Sequence, residues 1–382
     1  MLAPLLNKSS QSDEGAGNRR IDVSRLQAHG HRSDEAHRLA EARGADADTL
    51  QTLLQQHPEL LAASFGNKKD SLLTEAAREG KTAIVQVILA QALRSSELQA
   101  ATIINHQDVD GKTALAKAIE HGHLEVAMAL LRHDQVDVNR ADKLHRTPLH
   151  FAATQKNPRF AAELLRRASI LPSLPDGKGD TPLHLAIRSG RSEVAVMIAV
   201  HAKALPDQAN REGQTPLQAA IEWNRPAVVE ALLHSDDVNH NRPDLHNSPP
   251  LWQALTRWDR SQTLPDPEDA HGAWGQTLCK LVASPEIEVN CPGPNGETPL
   301  TYLCKMRHPR AECAMGPEDM LGVMDFSKWQ VLTVKAVLAS RADLDLSAQN
   351  SKGKTPVQVA RRAGHRSLEK ALEKESRARH RT

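Results

Sequence analysis

Thr147-Pro148-Leu149-His150-Phe151-Ala152 returns 34 residues later as Thr181-Pro182-Leu183-His184-Leu185-Ala186, and again 34 residues on as Thr215-Pro216-Leu217-Gln218-Ala219-Ala220. A looser copy, Thr113-Ala114-Leu115-Ala116, stands one step upstream, and Pro249-Pro250-Leu251-Trp252 one step downstream. Other unit starts lie near residues 34, 71, 298 and 355. Self-similarity at such a period describes a stack of units, each too small to bury its own apolar face, rather than one closed core.

The residue types explain what each unit does. Thr before an apolar run caps a helix by accepting a bond from a free backbone N–H. Pro at the first helical position loses nothing, because that N–H has no helical partner. Leu faces the core, the Ala residues let neighbouring helices approach closely, and Gly or Asn permits the left-handed turn that ends the helix. A second helix follows, as in Val228, Val229, Leu232 and Leu233. The pairs Val138-Asn139, Val238-Asn239 and Val289-Asn290, with turn pairs such as Asp110-Gly111 and Asp176-Gly177, predict hairpin-like fingers between units.

This pattern resembles the ankyrin repeat over about residues 34–375, most firmly at 108–240. The resemblance implies an all-α solenoid of about nine helix-turn-helix units with finger loops, its atypical end units acting as caps. It also implies that the imidazoles of His150 and His184 bond the capping Thr and nearby backbone, as architecture rather than chemistry. Partners of such arrays dock on the finger tips and the exposed side of the first helices. At those offsets stand Lys143, Leu144, Arg146, Gln155, Lys178, Asp180, Arg188, Arg211, Glu212, Glu222, Trp223, Arg257 and Trp258. That set is basic on balance and holds Trp and Arg, which recur among binding hot spots.

The spacing is not uniform. From Ser71 to Thr113 the step is 42, from Pro249 to Thr298 it is 49, and from Thr298 to Thr355 it is 57. The last two carry predicted insert loops near 259–274 and 306–329, between first and second helices. Residues 1–33 lack apolar periodicity and read as a disordered segment, and 376–382 as a basic tail.

Composition narrows the function. A net charge of +1 argues against bulk nucleic-acid or membrane binding, and there is no run of 18 apolar residues. Met1 to Leu6 is too short for a signal-peptide core. Cys279, Cys291, Cys304 and Cys313 follow no ligand spacing, even with His308 beside them, so they read as free packing thiols in a reducing compartment. No phosphate loop, nucleophile elbow or catalytic triad is assignable, so we expect no catalytic residue, cofactor or metal. The expected function is a monomeric, cytoplasmic, non-enzymatic scaffold that binds a partner protein. Two alternatives stand beside it. One is a bacterial effector or toxin-associated protein, exported without a cleaved signal, that grips a host or rival protein. The other is an enzyme with a cryptic site in the inserts.

Overall fold

The structure, a computed structural model, describes residues 41–261, 270–293, 296–305, 337 and 341–379. Residues 1–40, residues 262–269 of the first insert, the whole of the second insert at 306–329 and residues 380–382 lie outside the described residues, so the sequence readings there have no structural counterpart. Residues 41–44 are helical and lead to α1 (Ala47–Gln56), which buries Leu50 and Leu54. A short 3-10 turn (Pro58–Leu61) and two two-residue strands, β1 (Ser64–Phe65) and β2 (Asp70–Ser71), pair antiparallel before the first complete unit.

Helix pairs then follow in chain order: α2 (Leu72–Glu79) with α3 (Thr82–Ala92), then the additional α4 (Glu97–Ile104), then α5 (Ala114–Glu120) with α6 (Leu124–Leu131). Next come α7 (Pro148–Thr154) with α8 (Arg159–Leu165), α9 (Pro182–Arg188) with α10 (Ser192–Ala199), and α11 (Pro216–Glu222) with α12 (Pro226–Leu233). The series closes with α13 (Pro250–Ser261) and α14 (Ala270–Ala283), then α15 (Pro299–Lys305), then α16 (Pro356–Ala363) with α17 (Arg366–Arg379). Besides packing on the second helix of their own unit, first helices pack in the series α2, α5, α7, α9, α11, α13, α15, α16, and second helices stack as α1, α3, α6, α8, α10, α12, α14. The eight residues of α4 account for the longer step between the units at Ser71 and Thr113.

Between the two rows runs one continuous core. Leu149, Leu183 and Leu217 are at most 2% exposed, and Ala152, Ala186 and Ala220 are wholly buried. Small side chains there bring helix axes close, which is how a chain with 3% aromatic residues fills its interior. The second-helix row is tied across layers by polar bonds as well. His123 Nε2 meets the Arg78 carbonyl at 2.9 Å, and Arg225 Nε donates to the Ile187 carbonyl at 3.2 Å.

Before the units at Thr113, Thr147, Thr181, Thr215, Pro249 and Thr355 the finger is a turn built around one acid or amide five residues before the unit start. Asp142 Oδ1 accepts the N–H groups of Leu144 and Arg146 at 2.9 and 2.8 Å, and Asp176 and Asn210 do the same in the next two units. Adjacent tips are joined by backbone bonds, Gly177 N–H to the Leu144 carbonyl and Arg211 N–H to the Lys178 carbonyl. Gly179 sits at φ +80, and a Cβ there would lie 2.7 Å from the Arg211 nitrogen, so this crossing needs glycine.

Three expectations change. The first insert is not a plain loop over 259–274: α13 runs on through Ser261 and α14 begins at Ala270. Nine residues after the unit start, Gly190 (φ +71) and Asn224 (φ +50) end the first helix in the left-handed conformation, whereas the unit at Pro249 places Trp258 there and the helix continues. At the other end, 376–379 belong to α17 rather than to a tail. The Arg379 guanidinium donates to the carbonyls of Arg341, Ala342 and Leu344. Lastly, the asparagine that bridges to the next unit near the Val238-Asn239 pair is Asn241. It donates to the Glu286 carbonyl at 2.7 Å and accepts from Glu288 N–H at 2.8 Å, in register with Asn139 and Asn290.

Candidate protein-binding surface

The repeated His sits where a helix start must be satisfied twice. The Thr147 N–H donates to His150 Nδ1 at 3.0 Å, so the other ring nitrogen carries the proton, and Nε2 donates to the Asp180 carbonyl of the next unit at 3.1 Å. His184 repeats this between Thr181 and the Gln214 carbonyl. Burial holds both imidazoles below the ordinary His range, hence neutral at pH 7. Gln218 does the same work with an amide, accepting from Thr215 N–H at 2.9 Å and donating to the Arg242 carbonyl at 2.8 Å. Trp252 has a donor only, which suffices because Pro249 has no N–H to satisfy; its indole donates to the Cys291 carbonyl at 2.9 Å.

Of the residues singled out by offset, Lys143, Leu144, Lys178, Arg188, Arg211, Glu212 and Trp223 are exposed, and Arg146, Gln155, Glu222 and Arg257 half-buried. Two do not belong on this surface. Trp258 is 1% exposed because the lengthened α13 turns it inward, one helical period beyond Leu251 and Leu255. Asp180 is 2% exposed; its carboxylate accepts from Arg188 at 2.8 Å and from the Asn210 amide at 2.9 Å. Burial opposes its charge, but those two bonds win and hold its carboxyl below the usual range.

The structure brings Glu212, Glu222 and Arg257 together. They line a cleft of about 600 Å³ with the finger residues Asp244, Leu245 and His246. Arg257 donates to Glu222 at 2.5 Å, and Gln214 donates to the same carboxylate at 2.5 Å. Leu245, at the finger offset of the unit at Pro249, is 75% exposed and lies over Gly213 of the neighbouring finger. Its signal in the sequence was an apolar residue at a turn, where polar residues are usual. Leu144 is 60% exposed on another tip, and Trp223 44% exposed at the end of α11. Arg146 is tied back to Asp142 at 2.8 Å and lies 4.6 Å over the Phe151 ring.

Burial pushes the Cys304 thiol up to about 12 and Cys291 to about 11, which keeps both as neutral thiols. Among the described residues no group of three or more His, Cys, Asp or Glu side chains is placed to hold a metal ion, and His308 and Cys313 fall outside them. No helix among the described residues is long and apolar enough to cross a membrane.

Comparison with known proteins agrees with the geometry. The ankyrin-repeat family pattern, in its three-copy form, matches residues 36–142, 73–171 and 169–244, together more than half of the chain. A probable E3 ubiquitin-protein ligase of rice (Oryza sativa subsp. japonica), XBOS32, is 31% identical over 122 residues, 32% of this chain and 23% of that protein. A second, XBOS33, is 36% identical over 116 residues, 30% of this chain and 20% of that protein. The chain therefore spans about a fifth of the length of these relatives. A stack of helix pairs bridged by Thr–His caps and finger turns, together with the family match, places this chain in the ankyrin-repeat family.

Proposed function

We propose that the array holds a partner protein against its finger tips and first helices, over the units from Thr147 to Pro249. The observation that carries this reading is the exposure of Leu144, Trp223 and Leu245 along that face, beside the cleft lined by Glu222, Arg257 and Leu245. A single exposed apolar residue is ordinary, but large ones on two fingers of this stretch and at the end of α11, beside charged groups, fit a docking surface. Other exposed apolar residues, Leu171, Val200 and Leu205, follow the second helices in the connecting segments. Ubiquitin ligation is the printed activity of the rice proteins. A shared fifth of their length supports carrying over protein binding and not that reaction.

The test is quantitative affinity capture with the full chain and a Leu144→Asp, Trp223→Ala variant whose helical signal and urea midpoint match the parent. Proteins retained by the parent should be lost by the variant by about tenfold, the effect of one or two hot-spot truncations. Retention of the same proteins at the same level would move the interface off this face.

A further inference from the structure

A polar pairing recurs along the first-helix face. The residue one before the unit start reaches the residue seven after it: Lys112 to Glu120 at 2.7 Å, Asp180 to Arg188 at 2.8 Å, Gln214 to Glu222 at 2.5 Å and Glu297 to Lys305 at 3.1 Å. Where both members are charged in these units, they are opposite in sign. The last unit breaks this pattern. Its two positions are Lys354 and Arg362, both cationic and both exposed. Lys352 at the adjacent finger tip adds a third positive charge. None of the three makes an ion pair among the described residues, whereas Arg361, facing the other way on the same helix, pairs with Glu369 and Glu373.

These side chains line one open cleft of about 430 Å³ between the units at Thr298 and Thr355, together with Lys305 and Glu297. Four cations therefore meet one carboxylate, which Lys305 already bonds. In a chain of net charge +1 such an excess is local, and like charges held side by side favour an anion between them. Val359 and Ala363, apolar and small, line it, and among the described residues of the lining there is no aromatic ring on which a base could stack.

We propose that this cleft is a second anchor on the same face, taking an acidic segment of a partner protein whose carboxylates meet Lys352, Lys354 and Arg362. The inference rests on the reading of that face as a protein-binding surface, and it names the chemistry of one end of the partner. Charge complementarity is the reason for an acidic peptide, and the apolar lining, without a ring among the described residues, favours it over a nucleic acid.

Lys354→Glu provides the test, because it rebuilds the opposite-charge pair seen in the units at Thr113, Thr181 and Thr298 and so spares the fold. The probe is a fluorescein-labelled peptide of alternating glutamate and glycine, read by anisotropy against the full chain at about 50 mM salt, within the range where exposed charges still act. Lys354→Glu and Arg362→Glu should each weaken binding about tenfold, and Arg132→Glu with Arg166→Glu, exposed residues that follow second helices away from the finger face, should change it less than twofold. Equal loss in both regions, or no loss at Lys354, would overturn the proposal. Tighter binding of a labelled single-stranded oligonucleotide at the same residues would overturn it as well, in favour of nucleic acid. The capture experiment on Leu144 and Trp223 reads the wider surface separately, so loss of that interface and loss of this anchor can be told apart.

Discussion

The units at Thr181 and Thr215 end their first helices after seven residues, whereas the unit at Pro249, built on the same plan, runs for twelve. The difference traces to one position, Gly190 or Asn224 in the former and Trp258 in the latter. A second exchange accompanies it: Thr and His (or Gln) at the helix start become Pro249 and Trp252, and the next-layer bond survives because only the donor is needed. A repeat can thus lose its consensus residues and keep its place in the stack, provided each backbone group is still answered. Trp223, on the unit before, stays at the surface, whereas Trp258 lies in the core.

That contrast can be broken directly. Trp258→Ala should destabilise by about 3–5 kcal/mol through the lost ring and the cavity, whereas Trp223→Ala should change stability by less than about 0.5 kcal/mol, both read from urea unfolding. Similar midpoints for the two variants would contradict the burial assigned to them.

A second comparison sets the buried Lys117 against the exposed pairs. Lys117, whose side chain is 4% exposed, bonds Asp70 and reaches Asp108 at 2.9 Å, joining two layers. Lys117→Met should cost about 3–5 kcal/mol, because two buried carboxylates would be left facing each other. Arg166→Met, removing a partner of Glu163 that is 74% exposed, should cost less than about 1 kcal/mol.

Smaller effects test the register. Asn105 and Asn139 each donate to a carbonyl of the next unit and accept an N–H from it. Asp207 holds the corresponding place; its Oδ1 is buried without a hydrogen bond, and burial pushes its carboxyl above the ordinary Asp range. A raised folded-state value means that its contribution is greatest below about pH 3.8 and is lost as pH rises. Asp207→Asn should therefore stabilise the array by about 1 kcal/mol at pH 7, and by less at pH 4.

The fourth prediction compares His with Gln at the helix starts. Since burial depresses His150 and His184 below 6.5, the unfolded chain takes up protons first, and their stabilisation is complete above that pH and fades as pH falls below it. His150→Gln with His184→Gln copies Gln218, so the urea midpoint at pH 7 should move little while its decline between pH 7 and 5 becomes shallower. An unchanged decline would mean that other groups carry the acid sensitivity.

Much of this was legible in residue order. The step of 34, the Thr-Pro-Leu start, the Ala pairs and the finger acids announced helix pairs with turns between them, because each is a local device satisfied within a few residues. Exposure was legible as offsets: eleven of the thirteen residues chosen that way lie at or near the surface. Asp180 and Trp258 were misplaced for a shared reason: an offset counts residues along one unit, and burial depends on where that unit bends and what the next one brings. Asp180 is enclosed by Arg188 and by Asn210 from the following finger, and Trp258 by a helix that did not stop.

By itself the sequence determined the unit, its period and its polar caps, since these rest on backbone hydrogen bonding within a single turn of chain. Only the tertiary structure decided which charges are answered and which are left open, as at Lys354 and Arg362. An ion pair between layers depends on distances that no spacing along the chain prescribes.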